Sequence, residues 1–475
     1  MTTPTNSSPT QVRAACSAAA EAAPAWAALP LSRRGALLRS LADSLQSARE
    51  ALVLLADEET RLGPARLNGE LDRTCLQLRG FAERVEAGAA QPVQDDAAVP
   101  GAPPHGRPRL TRVGLPVGPV AMFAASNFPF AFSVLGGDTA SALAAGCPVV
   151  VKAHPGHPRL SQAMFDLAGA CIAAQGLPAG VLQMVQGTGI EVGQALVRDP
   201  AIAAAAFTGS VRGGVALWRE ANARPRPIPF YGELGSINPV VALPQALAAH
   251  GAALATQLAG SIVLGCGQFC TRPGLVIVRN DDASQSFVRQ LAEALAAATP
   301  HTMLNPAIRA GFNAGVARLS GRAGVKTLLA APARGSAPGA HLFATDAAGF
   351  MADEVLREEV FGPSCVVVTV RDAGETLQVL QAVEGSLTVT LWGADDDTPD
   401  NHRLVRAAQA VAGRVLFSGV PTGVAVTAAQ QHGGPWPSST NAFSTSVGHA
   451  ALERFVRPVA LQDAPAWLID ARGQA

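Results

Sequence analysis

The sequence predicts an α/β protein built on two parallel sheets, and three observations carry that reading. The chain has 475 residues, beyond the size at which one hydrophobic core keeps growing, so two or three domains are expected. From Val117 to Glu233, apolar runs of strand length alternate with helical stretches, the pattern of a parallel sheet covered on both faces. The same alternation returns after Leu234 and continues to about Gly434.

Taken in order, residues 10 to 90 read as helices. Leu37, Leu38, Leu41 and Leu45 recur at helical spacing, and Ser32 is a candidate N-cap before Arg33 and Arg34. Val99 to Pro108 is rich in Pro and Gly and is the least ordered stretch by composition; Arg109 to Val113 after it reads as one strand of a hairpin. Then come PVAMFAAS, a helix at TASALAAG, CPVVVKA, a helix from Pro158 to Gln175, VLQMVQG, a helix over Glu191 to Val197, AIAAAAFTGS, and a helix from Val211 to Asn222. Such a sheet binds dinucleotides at the carboxyl ends of its strands. There is no GxGxxG fingerprint; instead Phe207 to Gly214 (FTGSVRGG) opens a helix whose glycines and first-turn NH groups suit a pyrophosphate. Pro225 to Pro229 marks the seam into a second unit, with strands at LVIVRN, CVVVTV, LTVTLWG and GRVLFSG.

Composition removes several function classes. Charged residues are 15% of the chain, 36 basic against 36 acidic, so nothing points to a nucleic-acid partner. The seven cysteines (16, 75, 147, 171, 266, 270, 365) are odd in number and scattered, which argues against disulfides and for a reducing compartment. Cys266 and Cys270 lack companion ligands at zinc spacing, so no metal site is expected. The polar start Met1 to Pro9, followed by an alanine-rich run broken by Arg13 and Glu21, carries no signal-peptide pattern, and a cytoplasmic location is expected. Val113 to Gly137 is uncharged, yet Pro116, Pro119, Asn127 and Pro129 interrupt it, so no membrane span is read there. Glu233 to Arg272 carries no Asp, Glu, Lys or Arg between its ends, and Gln245 to Val263 reads as a helix packed inside the protein.

Chemistry concentrates at three places. Gly265 to Gly274 (GCGQFCTRPG) sets Cys270 in a glycine-flanked turn before an apolar strand, where a thiol can be presented to a substrate. Glu233 stands alone among uncharged neighbours in YGELGSINP, and Asn127 ends a strand in ASNFP. A thiol, a carboxylate and an amide donor form an acyl-transfer set.

SNFP, ELGSINP, GQFCTRPG and, at Glu358 to Pro363, EEVFGP resemble the aldehyde dehydrogenase superfamily in order and spacing, from about Val12 to about Ile469. Within it, GGDTASALAAGCPVVVKAHPGHP (Gly136 to Pro158) and VPTGVAV…QQHGGPWPSST (Val420 to Thr440) are most similar to the α-ketoglutaric semialdehyde (2,5-dioxopentanoate) dehydrogenases. That branch also contains NADP-linked fatty aldehyde dehydrogenases. The resemblance implies a Rossmann-like cofactor domain at 1–98 and 116–230, an α/β catalytic domain at 231–435, and a small β oligomerisation arm at 99–115 and 436–475 that pairs subunits into a homodimer or homotetramer.

It also implies roles. Cys270 is the nucleophile, Glu233 the base that activates water against a thioester, and Asn127 an oxyanion donor. Lys152, Gly209, Ser210, Gly214, Glu359 and Phe361 hold the cofactor, NAD or NADP. Members that prefer NADP often carry a threonine where Pro155 stands and an arginine near Ile190; this chain has neither. For the substrate, a small aldehyde, Arg272 is the first candidate to hold a terminal carboxylate, because in an extended chain it projects to the same side as Cys270; Arg159 is the second. The competing readings are a fatty or other aliphatic aldehyde dehydrogenase and, from another class, a non-catalytic structural protein on the same fold, which the intact Cys270, Glu233 and Asn127 oppose.

Overall fold

A computed structural model describes residues 5–473. Its strands, in chain order, are β1 Val93–Asp96, β2 Leu110–Pro116, β3 Val120–Phe123, β4 Val149–Lys152, β5 Leu182–Val185, β6 Ala204–Thr208, β7 Phe230–Glu233, β8 Pro239–Ala242, β9 Leu275–Arg279, β10 Lys326–Ala330, β11 His341–Asp346, β12 Ser364–Val370, β13 Ser386–Trp392, β14 Ala412–Leu416 and β15 Val456–Gln462. They form three sheets.

The first sheet is parallel, in the order β5-β4-β3-β6-β7. Its strands are short and apolar because both faces are covered. Ala121, Val150, Ala205 and Phe230 pack with Val12, Cys16 and Leu196 on one face. Val120, Val149 and Ala204 pack on the other with Trp26, Leu37, Leu38, Leu41 and Phe81. Those last five side chains are at most 1% exposed, and each stabilises by roughly 1.5–3 kcal/mol through burial. The chain builds β3, β4 and β5 to one side, then crosses back to add β6 and β7. The order therefore reverses between β3 and β6, which is where this architecture opens its ligand crevice.

The second sheet runs β10-β11-β12-β9-β8-β13-β14, parallel except for β10 against β11. A small antiparallel sheet joins β1, β2 and β15. Its last strand is tied to the first unit through a buried ion pair, Arg454 Nη2 to Asp138 Oδ1 at 2.7 Å, with the guanidinium also against the Phe455 ring.

Several expectations need correction. Tyr231 falls inside β7, which hydrogen-bonds to β6, so the seam between the sheets lies after Glu233. β1 lies in the small sheet rather than in the first unit, because it pairs with β2. Of 436–475, the segment Val456–Gln462 supplies the arm strand, whereas Ser438, Ser439 and Ser446 lie against Glu233 and Leu234; residues 1–4 and 474–475 of the expected ranges lie outside the described residues. Ser32 is no cap, for the helix Leu31–Ser47 starts one residue earlier. The helix Pro244–Val263 buries Leu247, Ala255, Leu258, Ala259 and Ile262 along one stripe, while Ala248, Ala249, Ala252, Ala253, Thr256 and Gln257 are exposed. An uncharged helix is therefore not an interior one here.

Candidate active site

The site forms where the carboxyl edge of the first sheet meets the amino ends of β8 and β9. Glu233 is the last residue of β7, and β8 begins six residues later at Pro239. Between them Asn238 adopts φ 51° and is fully buried. Its Nδ2 donates to the carbonyls of Cys270 at 2.8 Å and Arg272 at 2.9 Å, and its Oδ1 accepts from Ser236 and Thr388. One amide thus stitches the cysteine turn to the strand carrying the carboxylate.

The cysteine turn has its own constraint. Gly265, Cys266 and Gly267 have φ of 54°, 60° and 66°, a left-handed run that folds the chain back after the helix Pro244–Val263 and its following turn. Gly267 is required, since a Cβ there would collide with the Gly362 carbonyl. The turn leaves Cys266 buried and Cys270 half-buried, lining a cavity of about 560 Å³ with Asn127, Gly209, Ser210, Glu233, Glu359 and Phe361.

Glu233 is 4% exposed. Its Oε1 lies 3.1 Å from His432 Nε2, its Oε2 accepts from the Ser446 hydroxyl, and the same His432 Nε2 lies 3.5 Å from Cys270 Sγ. Burial pushes the Glu233 carboxyl up, but His432 and the hydroxyl outweigh it and hold the group below its ordinary range. The Cys270 thiol is pushed well above its usual value, first by burial and then by the Glu233 charge. A thiol with so high a pKa reacts only if a neighbour takes its proton. One imidazole nitrogen contacts both groups, so thiol, imidazole and carboxylate form a single proton-sharing set. The three donor atoms lie within 4.8 Å of one another, a donor set that the spacing of cysteines alone does not reveal; their mutual hydrogen bonds account for it without an ion.

His432 was not among the sequence candidates. It stands 162 residues beyond Cys270, in a loop pinned by its own backbone NH on Thr445 Oγ1 at 2.8 Å and by Ser446 N on its carbonyl. The available signal was a single histidine inside QQHGGPWP, a segment already prominent for other reasons.

The other expected residues divide. Asn127 is buried, its Nδ2 donates to the Gln268 carbonyl at 3.0 Å, and its carbonyl accepts from Arg66, which leaves the second amide hydrogen for a ligand. Gly209 and Ser210 sit at the crevice predicted by the strand order, with Ser210 capping the helix Val211–Asn222 through Gly213 N at 3.2 Å. Gly214 lies in the first turns of that helix, where a Cβ would meet the Leu234 and Phe207 side chains. Lys152 ends β4 and donates to the Gly187 and Ala153 carbonyls, and burial lowers its pKa to about 8. Burial raises the Glu359 carboxyl to about 7.

Both substrate arginines are misplaced. Arg272 is 1% exposed. Its guanidinium donates to the carbonyls of Ser364, Val360 and Pro273, because the chain turns after Cys270 and does not run extended. Arg159 is on the surface, paired with Glu58 and Glu59.

A sequence profile of the aldehyde dehydrogenase family matches residues 1–459. The chain is 46% identical over 458 residues to alpha-ketoglutaric semialdehyde dehydrogenase 2 of Azospirillum brasilense, covering 96% of this chain and 87% of that one. It is 41% identical over 434 residues to alpha-ketoglutaric semialdehyde dehydrogenase of Acinetobacter baylyi, covering 91% and 82%. The fold is similar to that of an NAD-dependent aldehyde dehydrogenase from Sinorhizobium meliloti, with a TM-score of 0.80 at 24% identity over 97% of this chain and 89% of that chain.

Because Arg272 holds three buried carbonyls, Arg272→Met is expected to lower stability by about 3–5 kcal/mol. Denaturant unfolding of the purified variant checks this; a stability within 1 kcal/mol of wild type, in the same measurement, contradicts it.

Proposed function

The chain belongs to the aldehyde dehydrogenase family, and we propose that it oxidises α-ketoglutaric semialdehyde (2,5-dioxopentanoate) to 2-oxoglutarate with a nicotinamide cofactor. The single observation that carries the mechanism is the contact chain Cys270–His432–Glu233, with separations of 3.5 and 3.1 Å.

His432 Nε2 takes the thiol proton, and the Cys270 thiolate attacks the aldehyde carbon to give a tetrahedral oxyanion. Asn127 Nδ2 and the Cys270 backbone NH are the donors proposed to face that oxygen; losing one such donor typically costs about 100 to 1,000-fold in rate. A nicotinamide held beside Gly209, Ser210, Glu359 and Phe361 would supply the acceptor for the hydride lost as the adduct becomes a thioester. Glu233 then removes a proton from the water that attacks the thioester, and the acid leaves with the thiolate restored. His432 and Ser446 keep the buried carboxylate ionised and so able to accept that proton, although the lowered pKa makes it the weaker base.

The residues present fit a dinucleotide. The first turn of Val211–Asn222 lies beside Gly209, buried Thr208 Oγ1 has no hydrogen-bond partner among the described residues, and Glu359 and Phe361 line the same cavity as Cys270. Pro155 offers no hydroxyl and Ile190 no cation for a 2′-phosphate, and Glu191 opens the helix Ile190–Arg198 with negative charge. NAD use with little NADP advantage follows. We assign the three-stranded arm and the exposed uncharged face of Pro244–Val263 to contacts within a homodimer or homotetramer. A cytoplasmic location accords with seven unpaired cysteines.

Absorbance of reduced nicotinamide tests the reading. Catalytic efficiency on 2,5-dioxopentanoate is expected to exceed that on hexanal at least tenfold with NAD; preference for hexanal, or dependence on NADP, overturns the substrate or cofactor assignment respectively.

Glu233→Gln is expected to retain a first-turnover burst of reduced cofactor while steady-state turnover falls by about 100-fold or more. Rapid mixing decides it. If burst and steady state fall together, Glu233 acts before the thioester.

A further inference from the structure

With Arg272 and Arg159 placed elsewhere, the far end of a charged aldehyde lacks an anchor among the expected residues, and the helix Pro64–Glu86 supplies one. Arg66, Glu70, Arg73 and Gln77 share a face of it, being three or four residues apart. That face is turned toward the segment after Asn127. Glu70 Oε1 accepts from Phe130 N at 2.7 Å and Ala131 N at 3.0 Å. The Arg73 guanidinium lies 5.4 Å from the Phe132 ring centre. Arg66 lies 5.1 and 4.7 Å from the rings of Phe128 and Phe269, the latter adjoining Cys270.

The arginines of this region differ in how their donors are used. Arg272 is committed to three carbonyls, Arg414 to those of Pro421 and Gly423, and Arg454 to Asp138, Ser141 and Ala451. Arg73 has no hydrogen-bond or ion-pair partner among the described residues, although its Nε and Nη2 are buried. Both amide atoms of Gln77 are buried and unpartnered beside it on the same face. The Glu70 carboxylate acts on Arg73 but also on Arg66, so one negative charge stands against two positive ones on this face; buried donors left without partners are costly, which points to an anion that completes the set. Nε and Nη2 form one edge of the planar guanidinium, the edge that takes both oxygens of a carboxylate. The cation is also near enough to act electrostatically on Cys270 and Glu233. A five-carbon chain spans only about 5 Å between its end carbons, given C–C bonds of about 1.5 Å, so its anchor must lie near the thiol; Arg73 stands over Phe132, which packs edge-on to Phe128 and through it to Phe269, the neighbour of Cys270.

We propose that Arg73, through its unpartnered Nε–Nη2 edge, binds the carboxylate of the semialdehyde while Cys270 engages the aldehyde, with Gln77 Nε2 as a further donor to the 2-oxo acid head. This rests on the substrate reading above and names the residue that enforces it. A 2-oxo acid end presents only acceptors, and Arg73 Nε, Arg73 Nη2 and Gln77 Nε2 are donors without a partner among the described residues. Arg66 is otherwise engaged, lying over two rings and donating to the Asn127 backbone carbonyl.

Catalytic efficiencies on 2,5-dioxopentanoate and on pentanal, an uncharged chain of equal length, are to be measured in wild type, Arg73→Met and Arg73→Lys. Arg73→Met is expected to lose on the order of 100-fold on the acid, chiefly through KM, and less than threefold on pentanal, the pattern of a lost bidentate pair. Arg73→Lys is expected to recover part of the loss on the acid. Equal falls on both substrates overturn the proposal, since Arg73 then acts through the Cys270 thiolate or the fold; so does an unchanged rate on the acid. If Arg73→Met is inactive on pentanal as well because it fails to fold, the charge-preserving lysine variant decides: a KM on the acid raised at least tenfold with pentanal unchanged supports the anchor, and any other result overturns it. A wild type that prefers pentanal overturns the substrate reading itself, whatever the variants do.

Discussion

A buried carboxylate shared between an imidazole and a hydroxyl is the interaction on which the rest of this site depends. Glu233 would be driven toward its neutral form by burial; His432 and Ser446 reverse that and keep it charged. The same charge raises the Cys270 thiol, so the carboxylate proposed to activate water opposes formation of the proposed nucleophile. His432 bridges the two, because one imidazole nitrogen contacts both groups. The geometry needs three remote segments to converge: the end of β7, the turn before β9, and the loop after β14.

That convergence is built by backbone constraints rather than by side-chain burial. Asn238 at positive φ fixes the cysteine turn to the strand link, and Gly265 to Gly267 reverse the chain so that Cys270 opens on the cavity while Cys266 does not. The two parallel sheets provide fixed edges to which these turns attach. The strand order of the first sheet reverses between β3 and β6, and their following loops carry Asn127 and Gly209–Ser210 to the same cavity.

Much of this was legible in the sequence, for identifiable reasons. Apolar runs at strand length marked β3, β4, β6, β9, β12 and β13, because strands buried on both faces must be apolar throughout. Cys270 and Glu233 stood out by isolation and glycine context. What failed was orientation. The expectation for Arg272 assumes an extended chain, whereas the turn after Cys270 sends it into the fold to satisfy carbonyls. The helix Pro244–Val263 was read as interior from its lack of charge, but alanine tolerates either environment. His432 and Arg73 were invisible for a different reason: a lone histidine and a helical arginine gain meaning only from partners, or the absence of partners, that the fold brings close.

The central claim is that His432 brings the Cys270 thiol into reach of neutral pH. The most direct test is the rate of iodoacetamide alkylation at Cys270, followed from pH 6 to 10 in wild type and His432→Ala and read by peptide mass. The account predicts a wild-type rate already substantial near neutrality, and a variant rate at least tenfold lower there that climbs only in the alkaline range, as expected for a buried thiol beside a carboxylate. Superimposable pH profiles for the two proteins would contradict it.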